Sequence, residues 1–423
     1  MLIDFAITNF RSIKLRQVFS LQSVARISEK PENTFTNQNY SLLRSAIIYG
    51  RNASGKSNLL HAMDCLFNLT TFENYPLSDA YNPFKILVSN ALYPVEFEIN
   101  FFAKDAKRYN YSVSFTDKKI VEENLFHYPE GKKARLFTRN EDKIATDITP
   151  LKEIVKNLYP HHTILSRLNF HWIDELYHPF VFFKKHFVTK SFIGEDRNWE
   201  ENPELTIDKW FMPNHIKNLS ILLKAADTGI DSVELKRLKK EDFHFPEGID
   251  EKTMNHIIAK STVKVKLKHP IYQGNKLIGS VDFDLNDISS GTKKLLLFGS
   301  CMLDCLSDGD VMIVDELDKG LHPKLMQTII NIFNNPKTNP NNAQLIVTSH
   351  DASLLGADLF RRDQIWISEK DLEGVSTYYT LADLKGVRYE APFEKYFLKG
   401  VFGGHPVIND LEIEFNLDRT DGI

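Results

Sequence analysis

The stretch "IIYGRNASGKSN", residues 47–58, leads from an apolar run through a polar loop to Gly55-Lys56-Ser57. It fits the pattern G-x-x-x-x-G-K-[ST] in full. In this pattern the glycines let backbone N–H groups point at phosphate oxygens, the lysine contacts the β- and γ-phosphates, and the hydroxyl can bind Mg²⁺. A buried strand before the loop and a helix beginning at Lys56 or Ser57 would add the positive end of a helix dipole. The stretch therefore predicts a nucleotide-phosphate cradle with these contact residues: Gly50, Arg51, Asn52, Ala53, Ser54, Gly55, Lys56, Ser57 and Asn58.

Two apolar stretches near the other end of the chain finish in polar clusters. "DVMIVDE" (310–316) predicts a buried strand beside the cradle, with Asp315 holding Mg²⁺ through water and Glu316 polarising the attacking water. "QLIVTSH" (344–350) predicts another strand, whose His350 would reach the γ-phosphate from the carboxyl edge of the sheet. We therefore expect a catalytic set and a metal-binding set: Lys56, Glu316 and His350 for catalysis, Ser57 and Asp315 for the metal.

A fourth stretch, "DISSGTKKLLLFGS" (287–300), places Ser289, Ser290 and Gly291 before an apolar run of helical period. Their hydroxyl and amide groups would lie at the positive end of a helix. Spacing alone leaves two alternatives open, an ordinary helix N-cap or a phosphate-binding site.

Composition and charge limit the class of protein. The chain has 423 residues, of which 42% are hydrophobic and 26% charged, which is typical of one large globular domain with an insertion or of two domains. The formal net charge of −4 gives no general indication of nucleic-acid binding. Three cysteines are too few for a disulfide framework, and Cys301 and Cys305 fit buried helix positions better than a redox pair. Without a signal peptide or a bilayer-spanning apolar run, we expect a cytoplasmic protein that does not contact membranes.

The order of elements predicts a nucleotide-binding fold divided between the two ends of the chain. Residues 2–10 and 16–21 predict a hairpin, and the alternation at 95–128 predicts an antiparallel sheet. The middle of the chain is mostly helical in period, and strands alternate with helices again after residue 310. We predict three sections: 1–130 as the first half of the nucleotide-binding head, 131–235 as a mainly helical insertion, and 236–423 as the second half.

Five motifs resemble, in chain order, those of ABC-type ATPases of the SMC, RecF and Rad-fifty branch. They are "NFRSIK" (9–14), "GRNASGKSN" (50–58), "ISSGTKK" (288–294), "VDELDKGLHP" (314–323) and "TSHD" (348–351). The set is most similar to the compact AAA-fifteen/twenty-one ATPases of bacterial anti-phage and abortive-infection operons. The resemblance implies an α/β fold: an ABC-type P-loop ATPase head, with a mixed sheet and an antiparallel β subdomain, interrupted by a compact helical insertion.

For the site, the resemblance implies that two heads meet head to tail with ATP and Mg²⁺ between them. Ser289 and Gly291 would complete the γ-phosphate site of the partner's cradle, Arg11 would lie near the phosphates, and "KGLHP" (319–323) would run between protomers. Two features depart from the family pattern. The signature is Ser-Ser-Gly-Thr rather than Ser-Gly-Gly-Gln, and residues 68–94, where the family has a glutamine loop, contain no glutamine.

Two lysine-rich stretches of the middle section have alternative interpretations. "HPFVFFKKHFV" (178–188) mixes aromatic residues with Lys184, Lys185 and His186, a composition found in nucleic-acid grooves. It also fits a partly buried amphipathic segment, the interpretation that we favour. The cluster "LKRLKKED" (235–242) is typical of a solvated face.

By analogy with the family, we expect an ATPase that forms a homodimer or higher homo-oligomer and regulates a separately encoded effector, a toxin or nuclease, in anti-phage defence. The alternative function is a RecF- or SMC-like DNA-repair ATPase that clamps DNA. That function would require a local basic surface, because the net charge does not indicate contact with nucleic acid.

Overall fold

The structure is a computed structural model that describes residues 1–86, 90, 92–169, 171–191, 213–238, 250–251, 254, 263–319, 321–356 and 358–404. Its framework is a six-stranded sheet built from both ends of the chain. In spatial order the strands are β11 (Phe187–Ser191), β15 (Val311–Asp315), β16 (Gln344–Thr348), β5 (Ser45–Tyr49), β17 (Ile365–Lys370) and β18 (Ser376–Thr380). The first five strands are parallel and β18 is antiparallel to β17. The predicted mixed sheet is confirmed.

The strand order corrects one expectation about the site. β16 lies between β5 and β15, so the strand that carries Asp315 is one strand away from the cradle strand and not directly beside it. Adjacent strands are about 4.8 Å apart, so the two strands remain close enough for their carboxyl ends to face one ligand.

The parallel strands bury both of their faces, because successive side chains point to opposite sides of a sheet. In β5, Ala46 and Ile48 join one apolar core, while Ile47 and Tyr49 join the other. The first core also contains the apolar side of α1 (Lys56–Thr71). The second contains α7 (Ser290–Asp308) and α8 (Pro323–Asn334). The central sheet is therefore the middle layer of three, which explains its uninterrupted apolar runs.

A seven-stranded antiparallel sheet packs on the first core. In spatial order its strands are β10 (Lys143–Thr146), β9 (Ala134–Asn140), β8 (Ile120–His127), β7 (Arg108–Phe115), β6 (Val95–Phe102), β1 (Leu2–Thr8) and β2 (Gln17–Ser20). The predicted hairpin and antiparallel sheet are confirmed. β9 and β10 continue this sheet past residue 130, the end of the first predicted section.

The remaining strands and helices lie outside these two sheets. Two small antiparallel sheets pair β3 (Thr34–Asn37) with β4 (Tyr40–Leu43), and β13 (Val263–Gln273) with both β12 (Ser232–Arg237) and β14 (Lys276–Asp284). The other helices are α2 (Leu77–Ala80), α3 (Thr149–Ile154), α4 (Ile164–Arg167), α5 (Asp174–Val181), α6 (Pro213–Ala225), α9 (Ser353–Gly356) and α10 (Phe393–Leu398). A π-helical turn, Phe182–His186, continues α5.

The middle section is more closely joined to the head than a separate insertion would be. Its described part contains helices α3 to α6, as the helical period predicts, but β11 pairs in parallel with β15 at the edge of the central sheet. The section therefore adds a strand to the central sheet that the sequence analysis did not predict. Residues 239–242 of the lysine-rich cluster lie outside the described residues.

Two smaller expectations concern membranes and cysteines. Within the described part of the chain, no helix has the length and apolar character needed to cross a bilayer. Cys65, Cys301 and Cys305 are buried and lie outside any disulfide, which confirms the buried helix positions predicted for Cys301 and Cys305.

Candidate nucleotide-binding site

The predicted cradle follows β5 directly, and α1 begins at Lys56 as expected. Gly55 has a φ of 113°, and a Cβ at this position would lie 2.4 Å from the Ser376 hydroxyl oxygen. A Cβ on Gly50 would lie 2.4 Å from the Ser368 carbonyl oxygen. Neither position accepts a side chain unless its neighbour moves, so the two glycines are required by the shape of the loop.

Side chains from distant parts of the chain hold the outer side of this loop. The Ser376 hydroxyl donates to the Ser54 carbonyl oxygen at 2.5 Å and lies 2.7 Å from the Ser12 hydroxyl. The Tyr378 hydroxyl donates to the Gly55 carbonyl oxygen at 2.7 Å. These hydrogen bonds fix the curvature of the loop from outside, on the side away from a bound phosphate.

Lys56 lies inside the loop. Its Nζ donates to the Gly50 carbonyl oxygen at 2.7 Å and lies 3.2 Å from that of Arg51. Burial lowers the pKa of the ammonium group. Three carboxylates act in the opposite direction: Asp315, Glu316 and Asp318. The positive charge of Lys56 therefore interacts with the carboxylates at the end of β15.

Thr348, the last residue of β16, positions the two acidic residues. Its hydroxyl donates to Asp315 Oδ1 at 2.5 Å and accepts a hydrogen bond from the Glu316 N–H at 2.6 Å. Thr348 is buried, and it pairs with Ile48 of β5. Glu316 has a left-handed backbone, with φ at 49°, so the chain turns at the end of β15. Thr348 thus connects the cradle strand to the acidic strand.

The Glu316 carboxylate faces two basic side chains. Lys319 forms an ion pair with Oε2, and His350 Nε2 lies 3.6 Å from Oε1. The backbone N–H of His350 also donates to Asp318 Oδ2 at 3.1 Å. The structure therefore brings together Glu316 and His350, which belong to two separate sequence motifs. The ion pair with Lys319 involves only Oε2, so Oε1 remains able to accept a proton from water.

Arg11 lies beside the first turn of α1. Its Nη1 is 3.4 Å from Asn58 Oδ1, and its guanidinium carbon is 5.6 Å from the centre of the Phe10 ring. Burial and the Arg11 charge both lower the pKa of His61, on the same helix. Arg11 therefore borders the cradle, and its contact with phosphate stays a prediction.

Asn9 anchors the segment in which the family has its glutamine loop. Its Nδ2 lies between 2.9 and 3.1 Å from three carbonyl oxygens, those of Asn90, Tyr93 and Pro94. Its Oδ1 accepts a hydrogen bond from the Phe84 N–H at 3.1 Å. The motif that carries Arg11 therefore also fixes this segment against the end of β1.

Ser289 caps α7. Its Oγ accepts a hydrogen bond from the Thr292 N–H at 3.2 Å and lies 2.9 Å from the Thr292 hydroxyl. Ser289 is exposed and Gly291 is half-buried at the first turn of this 19-residue helix. The N-cap alternative is observed, and a contact of these residues with phosphate stays a prediction that would involve a second protomer.

The other loop residues differ in their surroundings. The Arg51 guanidinium donates to the Lys370 carbonyl oxygen at 2.7 Å, so its side chain is already engaged. Asn52 and Ala53 are exposed, whereas the Ser54 hydroxyl oxygen is buried and has no hydrogen-bond partner among the described residues.

Comparison with known proteins places this site in a family. A family model described as "AAA domain, putative AbiEii toxin, Type IV TA system" matches residues 45–356, well over half of the chain. The match includes the cradle, the acidic strand and His350. The chain belongs to this AAA-domain family. The family inferred from the motifs is therefore confirmed.

Solved structures show weak overall similarity to this AAA-domain chain. The SMC head domain from Thermotoga maritima is 13% identical, covers 90% of this chain and 98% of its own, and has a TM-score of 0.40. The recombination mediator protein RecF with ATP, from the RecFOR pathway, is 12% identical, covers 90% of this chain and 99% of its own, and has a TM-score of 0.41. No curated protein sequence gives a significant match.

Two residues of the AAA-domain site fit a magnesium ion. Ser57 presents its hydroxyl at the first turn of α1, and Asp315 has one carboxylate oxygen that Thr348 does not occupy. Within the described residues no group of three or more His, Cys, Asp or Glu side chains could hold a metal. Magnesium bound with a nucleotide does not need such a group, because phosphates and water supply most of its ligands.

Sequence reasoning missed three positioning residues of the AAA-domain site: Thr348, Ser376 and Tyr378. Thr348 stands in the quoted motif "TSHD" and could have been found from its place at a strand end. Ser376 and Tyr378 lie on β18, and no pattern in their own segment indicates contact with a loop more than three hundred residues earlier.

Proposed function

We propose that the chain is an ABC-type ATPase. It binds ATP with Mg²⁺ at the carboxyl edge of its central sheet and hydrolyses the bond between the β- and γ-phosphates. The observation that carries the proposal is the shared sheet edge at which the Lys56 loop follows β5 and Asp315 ends β15. Thr348 joins the two, because it pairs with β5 and its hydroxyl donates to Asp315. Phosphate binding alone requires the cradle. Hydrolysis also requires a metal ligand and a base, and these are the groups that the acidic strand supplies.

The cradle and the metal ligands account for binding. Loop N–H groups and the Lys56 ammonium would hold the β- and γ-phosphates, in place of the carbonyl contacts that Lys56 makes here. Ser57 and Asp315 would hold Mg²⁺, which when bound neutralises charge on the phosphate oxygens.

The groups beyond the metal ligands account for hydrolysis. Glu316 would accept a proton from the attacking water, and the nearby His350 would donate a hydrogen bond to the γ-phosphate. Thr348 holds the Glu316 backbone N–H and the Asp315 carboxylate in one arrangement, so it would place the base and the metal ligand at the same end of β15.

The site would be completed by a second copy of the chain. Ser289 lies exposed at the N-terminal end of α7, where the helix dipole favours an anion. In a head-to-tail pair Ser289 and Gly291 would contact the γ-phosphate held by the partner. Turnover would then depend on association of the protomers.

The cellular role that we propose is control of a companion effector, a toxin or nuclease, in anti-phage defence. The family description names a toxin and a toxin–antitoxin system, which supports a role beside an effector. We place the protein in the cytoplasm, where cysteines outside disulfides, such as its three buried thiols, stay reduced.

Phosphate release by the purified chain tests the ATPase proposal, and its dependence on protein concentration tests the paired site. We expect specific activity to rise with concentration and to disappear in Lys56→Ala. Equal ATP affinity in the wild type and Lys56→Ala would refute the cradle assignment.

Co-purification with the product of the adjacent gene, with and without ATP, tests the companion effector. Stimulation by duplex DNA, with a steep salt dependence, would favour the DNA-clamping alternative instead.

A further inference from the structure

A groove on the helical middle section lies outside the proposed ATP site. It has a volume of about 260 Å³ and is bordered by α5, its π-helical continuation and the residues just before α5. Its polar and aromatic lining consists mainly of Asn169, His171, Trp172, Tyr177, Lys184 and Lys185. The groove is smaller than the 300–1,000 Å³ typical of pockets for drug-sized ligands, so it suits a small planar group.

The groove presents an aromatic platform to solvent. Trp172 is 71% exposed, which is unusual for the largest apolar side chain. Its ring lies 4.4 Å from the ring of Tyr177 at an angle of 35°, and its indole N–H donates to Asp174. Both contacts fix the orientation of the indole and leave much of its surface uncovered.

The charged side chains that line the groove are both positive. Lys184 donates to Asn169 Oδ1 at 2.7 Å and lies 5.4 Å from the centre of the Phe180 ring. Lys185 is exposed and has no acidic partner among the described residues. Asp174 accepts the hydrogen bond from the Trp172 indole and so lies at the edge of the groove, but neither it nor Glu175 is part of the lining. The groove therefore offers positive charge beside an exposed aromatic surface, although the chain as a whole is acidic.

The buried aromatics of the same segment anchor one side of the groove to the core. Phe182 and Phe183 are buried, and Phe182 stacks on Phe101 of β6 with ring centres 4.0 Å apart. The partly buried amphipathic segment predicted from the sequence is thus observed for these phenylalanines. Lys184 and Lys185, which follow them directly, are displayed at the surface by this anchored turn.

A second exposed ring pair lies on the same section. Tyr159 is 59% exposed and its ring stacks on that of His161, with centres 5.7 Å apart and an angle of 23°. Glu73 forms an ion pair with Arg167, which precedes Leu168 of the groove lining, and lies 3.8 Å from His162. The middle section therefore exposes a second ring on which a planar group can stack.

We propose that this groove binds single-stranded nucleic acid, with a base stacked on Trp172 and the adjoining phosphates on Lys184 and Lys185. Stacking on aromatic side chains beside positive charge is the means by which proteins hold single strands without sequence preference. A duplex does not fit as well, because its bases are already stacked on one another. The proposal is independent of ATP hydrolysis, since no residue of the cradle lines the groove.

Fluorescence anisotropy with labelled 12-mers of deoxythymidine and of uridine tests the proposal, using the full chain without ATP at low and moderate salt. We expect binding of at least one single strand and weaker binding of a duplex of equal length. Trp172→Ala should weaken binding about 5- to 100-fold, as for the loss of one stacked base. The double variant, with Lys184→Ala and Lys185→Ala together, should reduce the slope of log affinity against log salt. The reduction should be about 0.7 for each phosphate that the variant no longer neutralises.

The matched controls are Tyr272→Ala, which removes a 60% exposed ring elsewhere, and Lys143→Ala, which removes an exposed lysine of β10. Both should bind like the wild type, and thermal melting should show all variants folded. The proposal is overturned if no single strand binds at low salt, or if the groove variants bind as well as the controls. Repeating the measurement in Lys56→Ala separates this result from any failure of the ATPase proposal.

Discussion

The Thr348 hydroxyl lies between Asp315 and Glu316, donating to the carboxylate of the first at 2.5 Å and accepting from the backbone N–H of the second at 2.6 Å. One side chain on the strand next to the cradle strand therefore positions both the proposed metal ligand and the proposed base. A catalytic arrangement that depends on such a contact is sensitive to loss of the hydroxyl even when the fold is unchanged.

Thr348→Val removes the hydroxyl and keeps the shape of the side chain. We expect kcat to fall about 10- to 100-fold, because a hydrogen bond to a charged group contributes about 1.5–3 kcal/mol. Stopped-flow or steady-state phosphate release measures the change. Thr348→Ser, which keeps the hydroxyl, is the control and should retain most of the activity. Equal activity of the valine and wild-type proteins would show that Thr348 does not position the acidic residues.

Lys56→Ala removes the charge inside the cradle. We expect ATP binding to be lost, while the fold remains intact because the hydrogen bonds of Nζ within the described part of the chain go to carbonyl oxygens of its own loop. Isothermal titration calorimetry measures binding and circular dichroism checks the fold. The exposed Lys324→Ala is a control of equal charge change, for which we expect unchanged affinity.

The affinity for ATP should also depend on pH through Lys56. Burial lowers the pKa of this lysine in the free protein, and bound phosphate, being negative, raises it again. Above the pKa of Lys56 in the free protein, ATP therefore binds together with a proton, and its affinity falls as pH rises further. This fall begins below the pH at which ordinary lysines titrate. Titrations between pH 7 and 10 in buffers of different ionisation enthalpy measure both the affinity and the proton uptake. A profile that stays flat up to the pH at which ordinary lysines titrate would contradict the lowered pKa.

Glu316→Gln removes the proposed base and keeps the size of the side chain. We expect ATP to bind normally, turnover to fall about 100-fold or more, and the associated form to accumulate. Light scattering after size-exclusion chromatography with ATP measures the association. Glu373→Gln, at an exposed position, serves as the control. Normal turnover in Glu316→Gln would mean that another group activates the water.

Tyr378→Phe removes the donor to the Gly55 carbonyl oxygen. We expect KM for ATP to rise about 3- to 10-fold with a smaller change in kcat, since one neutral hydrogen bond contributes about 1 kcal/mol and its loss loosens the cradle rather than the base. Steady-state kinetics separates the two parameters. Tyr396→Phe, a partly exposed tyrosine of α10, should behave like the wild type. A change confined to kcat would contradict a role in shaping the loop.

Several features of the fold and site followed from residue type and spacing. The strand, loop and helix around Lys56, the capped helix at Ser289 and the buried strands at 311–315 and 344–348 are local patterns, and the structure contains each of them. Strand β11 did not follow in this way. It lies in the middle section, and its place beside β15 depends on pairing with a strand more than a hundred residues later.

The sequence by itself determined the chemistry of the site, because the glycines, the lysine and the acidic strand end each carry their signal within about ten residues. Only the tertiary structure decided which side chains contact the loop and the acidic residues. β16 lies between the cradle strand and the acidic strand, which makes Thr348 the residue that joins them. Ser12 and Ser376 meet behind the loop although 364 residues separate them. Contacts of this kind depend on strand order and packing between distant segments, and no local pattern of residues specifies them.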